Sequence, residues 1–241
     1  VTINSTKIPP SERMCKNCAY ARQRSKTDKI GWWRKIHLIY INMEIAKTPD
    51  CNFGEKPKDF KLKGVDNKIY TLNDFKGRYG TLVMFICNHC PYVNAFIKEI
   101  VEDVEYFRTE GIKSVAIMSN DTKNYPEDSF ENMILFSKKH KFNFPYLFDE
   151  TQEVAKSYGA VCTPDFFGYG DWENDGLQYR GRMRELKNLK PIYPTSVRGG
   201  KRFKDESELR YNMEKIAMTG EGLEAKYQFP SVGSSIKWFK K

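Results

Sequence analysis

Residues 79–93 read YGTLVMFICNHCPYV, and this stretch decides the fold. Residues 79–86 form a near-continuous apolar run of strand length, which is typical of a central strand covered on both faces. The run stops at Cys87-Asn88-His89-Cys90. From Pro91 to Phe107 the apolar side chains recur every three or four residues, as on one face of an amphipathic helix. We therefore predict a buried strand, a short loop that carries two cysteines, and a helix, in that order.

The chain on either side of this stretch alternates between strand and helix signals. Alternating polar and apolar residues around a turn at residues 65–68 predict a β-hairpin upstream of the cysteine pair. The predicted strands are residues 58–62, 68–72, 112–118, 144–148, 165–169 and 177–180, and the predicted helices are residues 91–107, 126–139, 150–158 and 206–219. Strands that alternate with helices indicate a layered α/β domain.

Cys87 and Cys90 are the candidate redox pair. A helix N-terminus favours negative charge, and the thiolate is the reactive form of cysteine, so this position lowers the pKa of a thiol. We predict that Cys87 is the exposed sulfur that attacks, and that Cys90, one turn further in, resolves the mixed disulfide. His89 would donate to the Cys87 thiolate or lie near it as a cation. The plainer alternatives are two buried core cysteines and a histidine that is only an exposed loop residue.

The 241 residues carry a formal net charge of +9, and this charge is unevenly distributed. Residues 1–42 hold nine Lys and Arg against two Asp and Glu, whereas residues 43–241 are nearly balanced. We predict that residues 1–42 are a basic, poorly ordered N-terminal extension and that residues 43–241 are the redox domain with a C-terminal tail. A nucleic-acid partner would depend on the extension alone and is not expected. Cys15 and Cys18 lack a second pair at zinc-ribbon spacing, so we assign them no role.

Membrane and secretion signals are missing from the sequence. No apolar run approaches the ~18 residues that a membrane span needs, and no signal peptide is evident near the start. We therefore expect a cytoplasmic protein, in which a close cysteine pair is more often catalytic or metal-binding than structural. No motif predicts a nicotinamide, flavin or nucleotide cofactor.

The cysteine segment resembles a known family. Residues 85–93, FICNHCPYV, are similar to the active-site segment of bacterial redoxins, described as thioredoxin-family or peroxiredoxin-like proteins of the alkyl hydroperoxide reductase/thiol-specific antioxidant class. The other similar stretches are residues 119–121, 125–130, 145–147, 149–152, 161–165 and 236–238. The resemblance implies a thioredoxin-like three-layer α/β fold, with a central mixed sheet flanked by helices and an N-terminal β-hairpin.

The resemblance also implies a role for Pro164. In this superfamily a proline that faces the active-site cysteines is cis and shapes the surface on which the substrate chain docks. Thr163-Pro164 fits that position, the alternative being a trans proline that begins the next strand. Cys162 would then lie near the site, either as a third redox-active thiol or as a passive neighbour.

Two positions depart from the pattern of the related proteins. Peroxiredoxins carry Thr or Ser three residues before the peroxidatic cysteine, whereas this chain has Met84 before Cys87 and Cys87 before Cys90. Relatives tend to carry a cysteine just before the Ile-Lys-Trp of the tail, where this chain has Ser234-Ser235. The first departure argues against efficient peroxidase activity, and the second excludes a tail cysteine from the redox cycle.

Three hypotheses about function result. The leading one is a thiol-disulfide oxidoreductase in which Cys87 attacks a substrate disulfide and Cys90 resolves it. Its partners would be a protein or small-molecule disulfide and a dithiol reductant or oxidant. The second is a thiol-dependent peroxidase that forms a sulfenic acid on one of the two sulfurs. The third is a carrier of copper(I) or zinc through Cys87, Cys90 and either Cys162 or His89, because soft thiolates suit these ions.

Overall fold

The computed structural model describes residues 44–185 and 207–240. The expected N-terminal extension lies outside the described residues, and so does most of the stretch between the strand predicted at residues 177–180 and the helix predicted at residues 206–219. Among the described residues, no helix combines the length and the apolarity that crossing a membrane requires.

Ten strands and four α-helices make up the regular structure of the described residues. The strands are β1 (Ile45–Lys47), β2 (Lys61–Gly64), β3 (Ile69–Thr71), β4 (Gly80–Phe85), β5 (Ile112–Met118), β6 (Tyr146–Phe148), β7 (Cys162–Thr163), β8 (Asp165–Tyr169), β9 (Leu177–Gly181) and β10 (Val232–Ser235). The helices are α1 (Pro91–Thr109), α2 (Phe130–Lys139), α3 (Glu153–Tyr158) and α4 (Glu208–Thr219), with short 3₁₀ turns at Leu72–Phe75, Pro126–Asp128 and Ala225–Tyr227.

Seven of the strands form one mixed sheet in the order β3-β2-β6-β5-β4-β8-β9. Strand β4 pairs in parallel with β5, and β5 with β6, whereas the other pairs are antiparallel. All six residues of β4 are buried, because successive side chains enter different apolar clusters on the two faces. Leu82 and Met84 share a cluster with residues of α1, α2 and α4, whereas Val83 and Phe85 share one with α3. The predicted three-layer fold is therefore confirmed.

The predicted β-hairpin is also confirmed, with a small shift along the chain. Lys61 of β2 pairs with Thr71 of β3, and Asn67 occupies the left-handed region in the turn between them. The ladder begins at Lys61 rather than at residue 58 because Leu72 already starts a 3₁₀ turn, which leaves residues 58–60 without a paired strand.

The predicted helix over residues 126–139 is wrong as a single element. A 3₁₀ turn at Pro126–Asp128 is followed by Ser129 in an extended conformation, and α2 begins only after it. The Ser129 hydroxyl accepts a hydrogen bond from the backbone N–H of Asn132 at 3.3 Å. A serine that caps a helix in this way marks its start, so the two turns are separate. This break places Asp128 at the end of the 3₁₀ turn.

The helix predicted over residues 150–158 begins three residues later than expected. Its start is set by the Asp149 carboxylate, which accepts hydrogen bonds from the backbone N–H groups of Val154 and Ala155. Gln152, just before the helix, lies in the left-handed region, and Gly159 ends the helix in the same conformation, as predicted for its stop.

A second, smaller sheet is absent from the sequence-based prediction. It has three antiparallel strands in the order β1-β10-β7, so the tail, for which we predict no strand, contributes its central strand. Within this sheet Ser234 pairs with Ile45 on one side and with Thr163 on the other. The small sheet thereby brings the C-terminal strand beside the residue that precedes Pro164.

Candidate active site

The loop between β4 and α1 carries both cysteines of the pair, and the helix begins at Pro91, as predicted. Cys90 is the N-cap residue of α1, and Pro91 occupies the first helical position, where a missing N–H costs little. The backbone N–H of Asn94 donates to the Cys90 carbonyl at 2.9 Å. Cys90, not Cys87, is therefore the cysteine at the helix N-terminus.

Both sulfur-bearing residues are buried, so the expectation of an exposed Cys87 is wrong. Cys87 is 1% exposed and Cys90 is 0% exposed, and both are free thiols. Strands β7 and β10 provide contacts to the two sulfurs. The Thr163 hydroxyl lies 3.4 Å from the Cys87 sulfur, the Cys90 thiol donates to the Thr163 carbonyl at 3.1 Å, and the Ser234 hydroxyl donates to the Cys90 sulfur at 3.1 Å.

The Thr163–Pro164 peptide bond is cis, as the resemblance implies. It lies between β7 and β8, directly after the threonine that contacts both sulfurs. The structure therefore brings Cys87, Cys90 and the cis-proline turn together.

Asp128 is a site residue that the sequence reasoning missed. It is fully buried, and one carboxylate oxygen accepts from the backbone N–H groups of Asn88 and His89 at 2.8 and 3.3 Å. The other oxygen lies 2.6 Å from His89 Nδ1 and accepts from the Asn120 amide at 2.7 Å. Asp128 thus fixes both the backbone of the cysteine loop and the ring of His89. Its sequence signal was only its place within the similar stretch at residues 125–130.

His89 lies near the pair in surroundings that favour its charged form. Burial lowers its pKa, but the hydrogen bond to Asp128 and the charges of that carboxylate and of Cys90 outweigh burial, so the pKa is raised above its usual value. The side chain is 24% exposed, and its ring stacks on Tyr125 with the ring centres 6.0 Å apart. His89 is therefore neither a free loop residue nor fully buried, because one face meets Tyr125 and one nitrogen is held by Asp128.

The two sulfurs of the pair differ in electrostatic environment. Burial raises the pKa of Cys87 well above its usual value, and the hydrogen bond with Cys90 and the charge of Asp128 add to the effect. Burial also raises the pKa of Cys90, but hydrogen bonds to its sulfur outweigh burial and lower the pKa to about 5. These hydrogen bonds involve Cys87, Ser234, the Thr163 side chain and the backbone of Val93. The negative charge of the reduced pair is therefore favoured on Cys90.

Cys162 occupies a separate pocket on the other side of β7. Its sulfur lies 3.9 Å from the Thr48 hydroxyl and 4.0 Å from the carbonyls of Pro164 and Ser231, and the residue is fully buried. Burial and the nearby charge of Asp165 raise its pKa. These contacts favour the passive-neighbour alternative for Cys162.

A group of potential ligand atoms lies at the pair, but the metal-carrier set predicted from sequence is not what the structure assembles. Cys87, His89 and Asp128 each offer an atom within 4.8 Å of the others, and Cys162 is not part of this group. Both Asp128 oxygens already accept hydrogen bonds from protein donors. We interpret the group as a hydrogen-bonded His89–Asp128 dyad beside a thiol.

The fold and the site together define a thioredoxin-like redoxin: two cysteines with two residues between them lie between a buried strand and a helix, against a cis-proline turn. The sequence profile of the AhpC/TSA family matches residues 53–183, more than half of the chain. The chain belongs to the AhpC/TSA family.

Individual relatives agree with this class. Thiol-disulfide oxidoreductase ResA of Bacillus cereus is 24% identical over 155 residues, which cover 61% of this chain and 83% of ResA. Chloroplastic peroxiredoxin Q of Gentiana triflora is 24% identical over 115 residues, 48% of each chain. Among solved structures, an uncharacterized conserved protein from Geobacillus kaustophilus superposes with a TM-score of 0.71 and 35% identity, over 83% of this chain and 99% of that one. Most of this chain therefore shares its fold with a solved structure.

Proposed function

We propose that this protein is a thiol-disulfide oxidoreductase with Cys87 and Cys90 as its redox pair. The observation that carries the proposal is that both sulfurs contact Thr163, the residue before the cis-proline, while Cys90 caps helix α1. The names of the ResA relatives support the same activity.

The proposed reaction balances as a two-electron exchange. One sulfur of the pair, as a thiolate, attacks a substrate disulfide, and a substrate thiolate leaves as a mixed disulfide forms. The second sulfur then attacks the mixed disulfide, which releases the second substrate thiolate and leaves a Cys87–Cys90 disulfide. A dithiol protein would return the pair to its reduced state, and an oxidant partner would drive the cycle in the other direction. The substrate would be a protein or small-molecule disulfide.

The order of the two sulfurs is a separate part of the proposal. The sequence predicts that Cys87 attacks and Cys90 resolves, and this order stays a prediction. The contacts support the opposite order, because the donors converge on Cys90 while the Asp128 carboxylate lies near Cys87. His89, fixed by Asp128, would supply or accept a proton as charge moves between the sulfurs.

The burial of the pair sets a condition on this reaction. Since the two residues are 1% and 0% exposed, a substrate sulfur reaches them only when the surrounding contacts open. The half-buried side chains of Asn88, His89, Pro91 and Tyr92 form the edge of the site nearest to solvent.

Paired serine variants test the activity and the order together. Three variants would each be incubated with oxidised glutathione and with a model protein disulfide. They are Cys90→Ser, Cys87→Ser and, as a control from the neighbouring pocket, Cys162→Ser. If the pair is redox-active, the variant that lacks the resolving sulfur accumulates a mixed disulfide, which mass spectrometry locates on the attacking sulfur. Accumulation in Cys87→Ser would assign attack to Cys90, and accumulation in Cys90→Ser would assign it to Cys87. If neither variant traps a disulfide while Cys162→Ser and the wild type are equally inactive, the proposed activity is wrong.

A thiol peroxidase is the second candidate, and one observation favours it. The hydroxyl that the sequence lacks three residues before the cysteines is supplied from elsewhere, by Thr163 near Cys87 and by Ser234 on Cys90. The thiolate would displace hydroxide from hydrogen peroxide to form a sulfenic acid, which the second thiol converts to a disulfide with release of water. Stopped-flow oxidation by hydrogen peroxide tests the peroxidase activity, and a rate constant no higher than that of free cysteine would eliminate it.

The cytoplasmic location also stays a prediction.

A further inference from the structure

Ser234 reaches the redox pair from a distant part of the chain. Its hydroxyl donates to the Cys90 sulfur at 3.1 Å across a separation of 144 residues, and the residue is 1% exposed. The backbone register fixes this contact, because Ser234 pairs with Thr163 of β7 and Thr163 itself contacts both sulfurs. The contact is therefore part of the architecture of the small sheet.

Gly233 shows how closely the tail strand approaches the cis-proline turn. A Cβ atom added at Gly233 would lie 2.0 Å from the Thr163 carbonyl oxygen and 3.3 Å from the Pro164 nitrogen. Only glycine permits an approach of this kind. The neighbouring hydroxyl of Ser234 consequently reaches Cys90 without a water between them.

The sulfurs of Cys87 and Cys90 differ in the hydrogen bonds that they accept and donate. When Cys90 is protonated, its thiol donates to the Thr163 carbonyl, and this bond is lost on ionisation. The Ser234 hydroxyl donates to the sulfur in either state and gains strength when the sulfur is charged. Thr163 offers its hydroxyl to Cys87 at a longer distance, 3.4 Å, and an Asp128 carboxylate oxygen lies within 4.8 Å of the Cys87 sulfur. Exposure does not separate the sulfurs, because both are buried.

We propose that Ser234 is a catalytic residue of the exchange reaction, whose hydroxyl holds the negative charge of the reduced pair on Cys90 and so makes Cys90 the attacking sulfur. This inference rests on the proposed thiol-disulfide oxidoreductase function. The titratable groups around Cys90 are Cys87 and His89 on its own loop and Cys162 on β7, while Asp128 on the 3₁₀ turn acts from the side of Cys87.

The same strand offers a matched control. Ser235 follows Ser234, but its hydroxyl lies 3.4 Å from the Glu44 carboxylate and accepts a hydrogen bond from Lys237 at 3.2 Å. Ser235→Ala therefore removes a hydroxyl from β10 without touching a sulfur. Ser234→Thr keeps a hydroxyl at the position that contacts Cys90.

The experiment follows the ionisation of each thiol in the reduced 241-residue chain. Iodoacetamide is applied from about pH 4 to about pH 9, and peptide mapping gives the alkylation rate of each cysteine separately. We expect Cys90 to titrate below Cys87 in the wild type. Ser234→Ala should raise the Cys90 midpoint by about one to two pH units, because a hydrogen bond to a charged group is lost. Ser235→Ala should leave the midpoint unchanged, and Ser234→Thr should keep it closer to the wild type than Ser234→Ala does.

Two results would overturn the inference. One is a Cys90 midpoint that is the same in Ser234→Ala and in the wild type, and the other is a wild-type Cys87 that titrates below Cys90. The titration uses no disulfide substrate, so it is independent of turnover. If the midpoint shifts but no variant traps a mixed disulfide, the placement of charge by Ser234 stands and the proposed exchange activity fails.

Discussion

Buried thiols lie on both sides of strand β7, and the two sides differ in the hydrogen bonds that the sulfurs receive. On one side Thr163 faces Cys87 and Cys90, and on the other Cys162 faces Thr48 and two backbone carbonyls. Both pockets are buried, and burial raises the pKa of Cys162 as it does that of Cys87. Among the four cysteines that the structure describes, only Cys90 has a lowered pKa, because hydrogen bonds converge on its sulfur. Burial alone therefore makes a thiol inert, and the donors around a buried sulfur decide whether it is reactive.

The largest expected effect comes from Asp128→Asn, which removes the carboxylate charge that holds the cysteine loop and the His89 ring in place. The amide NH₂ would face donors that now bind the carboxylate, so we expect a loss of about 3 kcal/mol in the free energy of unfolding. Because the folded pKa of His89 is raised, the stabilisation from this pair is present at low pH and is lost as the pH rises through the folded pKa. In Asp128→Asn this dependence should disappear and the His89 pKa should fall. Urea unfolding at several pH values and an NMR titration of His89 measure both.

Asp121→Asn is the control for this change. Asp121 lies in the same connection after β5 and accepts from the backbone N–H groups of Lys123 and Asn124, away from His89. It should lower stability without moving the His89 titration. An unchanged His89 pKa in Asp128→Asn would show that the carboxylate does not govern the ring.

The second effect tests whether the tail strand keeps the pair closed. Gly233→Ala would place a Cβ 2.0 Å from the Thr163 carbonyl, so β10 must shift away from β7. If this makes opening easier by about 1.4 kcal/mol, alkylation of Cys87 and Cys90 at a fixed pH speeds up about tenfold. Gly222→Ala is matched to it, because its Cβ would lie 2.1 Å from the Gln178 carbonyl, outside the small sheet. Equal alkylation rates in the two variants would contradict a closing role for β10.

The smallest effect is expected from a change at Cys162, on the side of β7 away from the redox pair. Cys162→Ala removes a buried sulfur and should cost about 1 kcal/mol of stability, measured by urea unfolding. The rate of thiol-disulfide exchange and the Cys90 titration should not change, since the Cys162 sulfur contacts neither sulfur of the pair. Cys51→Ala, at a half-buried thiol, is the comparison. A several-fold loss of exchange activity in Cys162→Ala alone would make Cys162 a third redox thiol.

The sequence predicted the large sheet well because its signals are local. The apolar run that became β4 and the periodicity that became α1 are each contained within one element. The small sheet had no such signal, since β10 reads VGSS and β1 has only three residues. Strands this short are defined by the partners they pair with, and those partners lie far away in sequence.

The residues of the candidate site also differ in whether a local sequence signal predicts their role. Cys87, Cys90 and Pro164 could be found from sequence, because spacing and resemblance point to them. The resemblance singles out the stretch around Asp128 and the tail position of Ser234, but their roles could not be predicted, since they depend on side chains that meet only after folding. The exposed Cys87 was wrong for the same reason, because the strands that cover it were not foreseen.

The distance between Ser234 and Cys90 along the chain has a consequence for biosynthesis. The ribosome adds Ser234 144 residues after Cys90, which takes on the order of 10 seconds at ordinary elongation rates. During that interval both sulfurs exist without the strand that shields them and without the hydroxyl that Ser234 provides. A nascent chain therefore carries a dithiol that β10 does not yet shield. A chain that terminates before residue 232 would keep this dithiol unshielded.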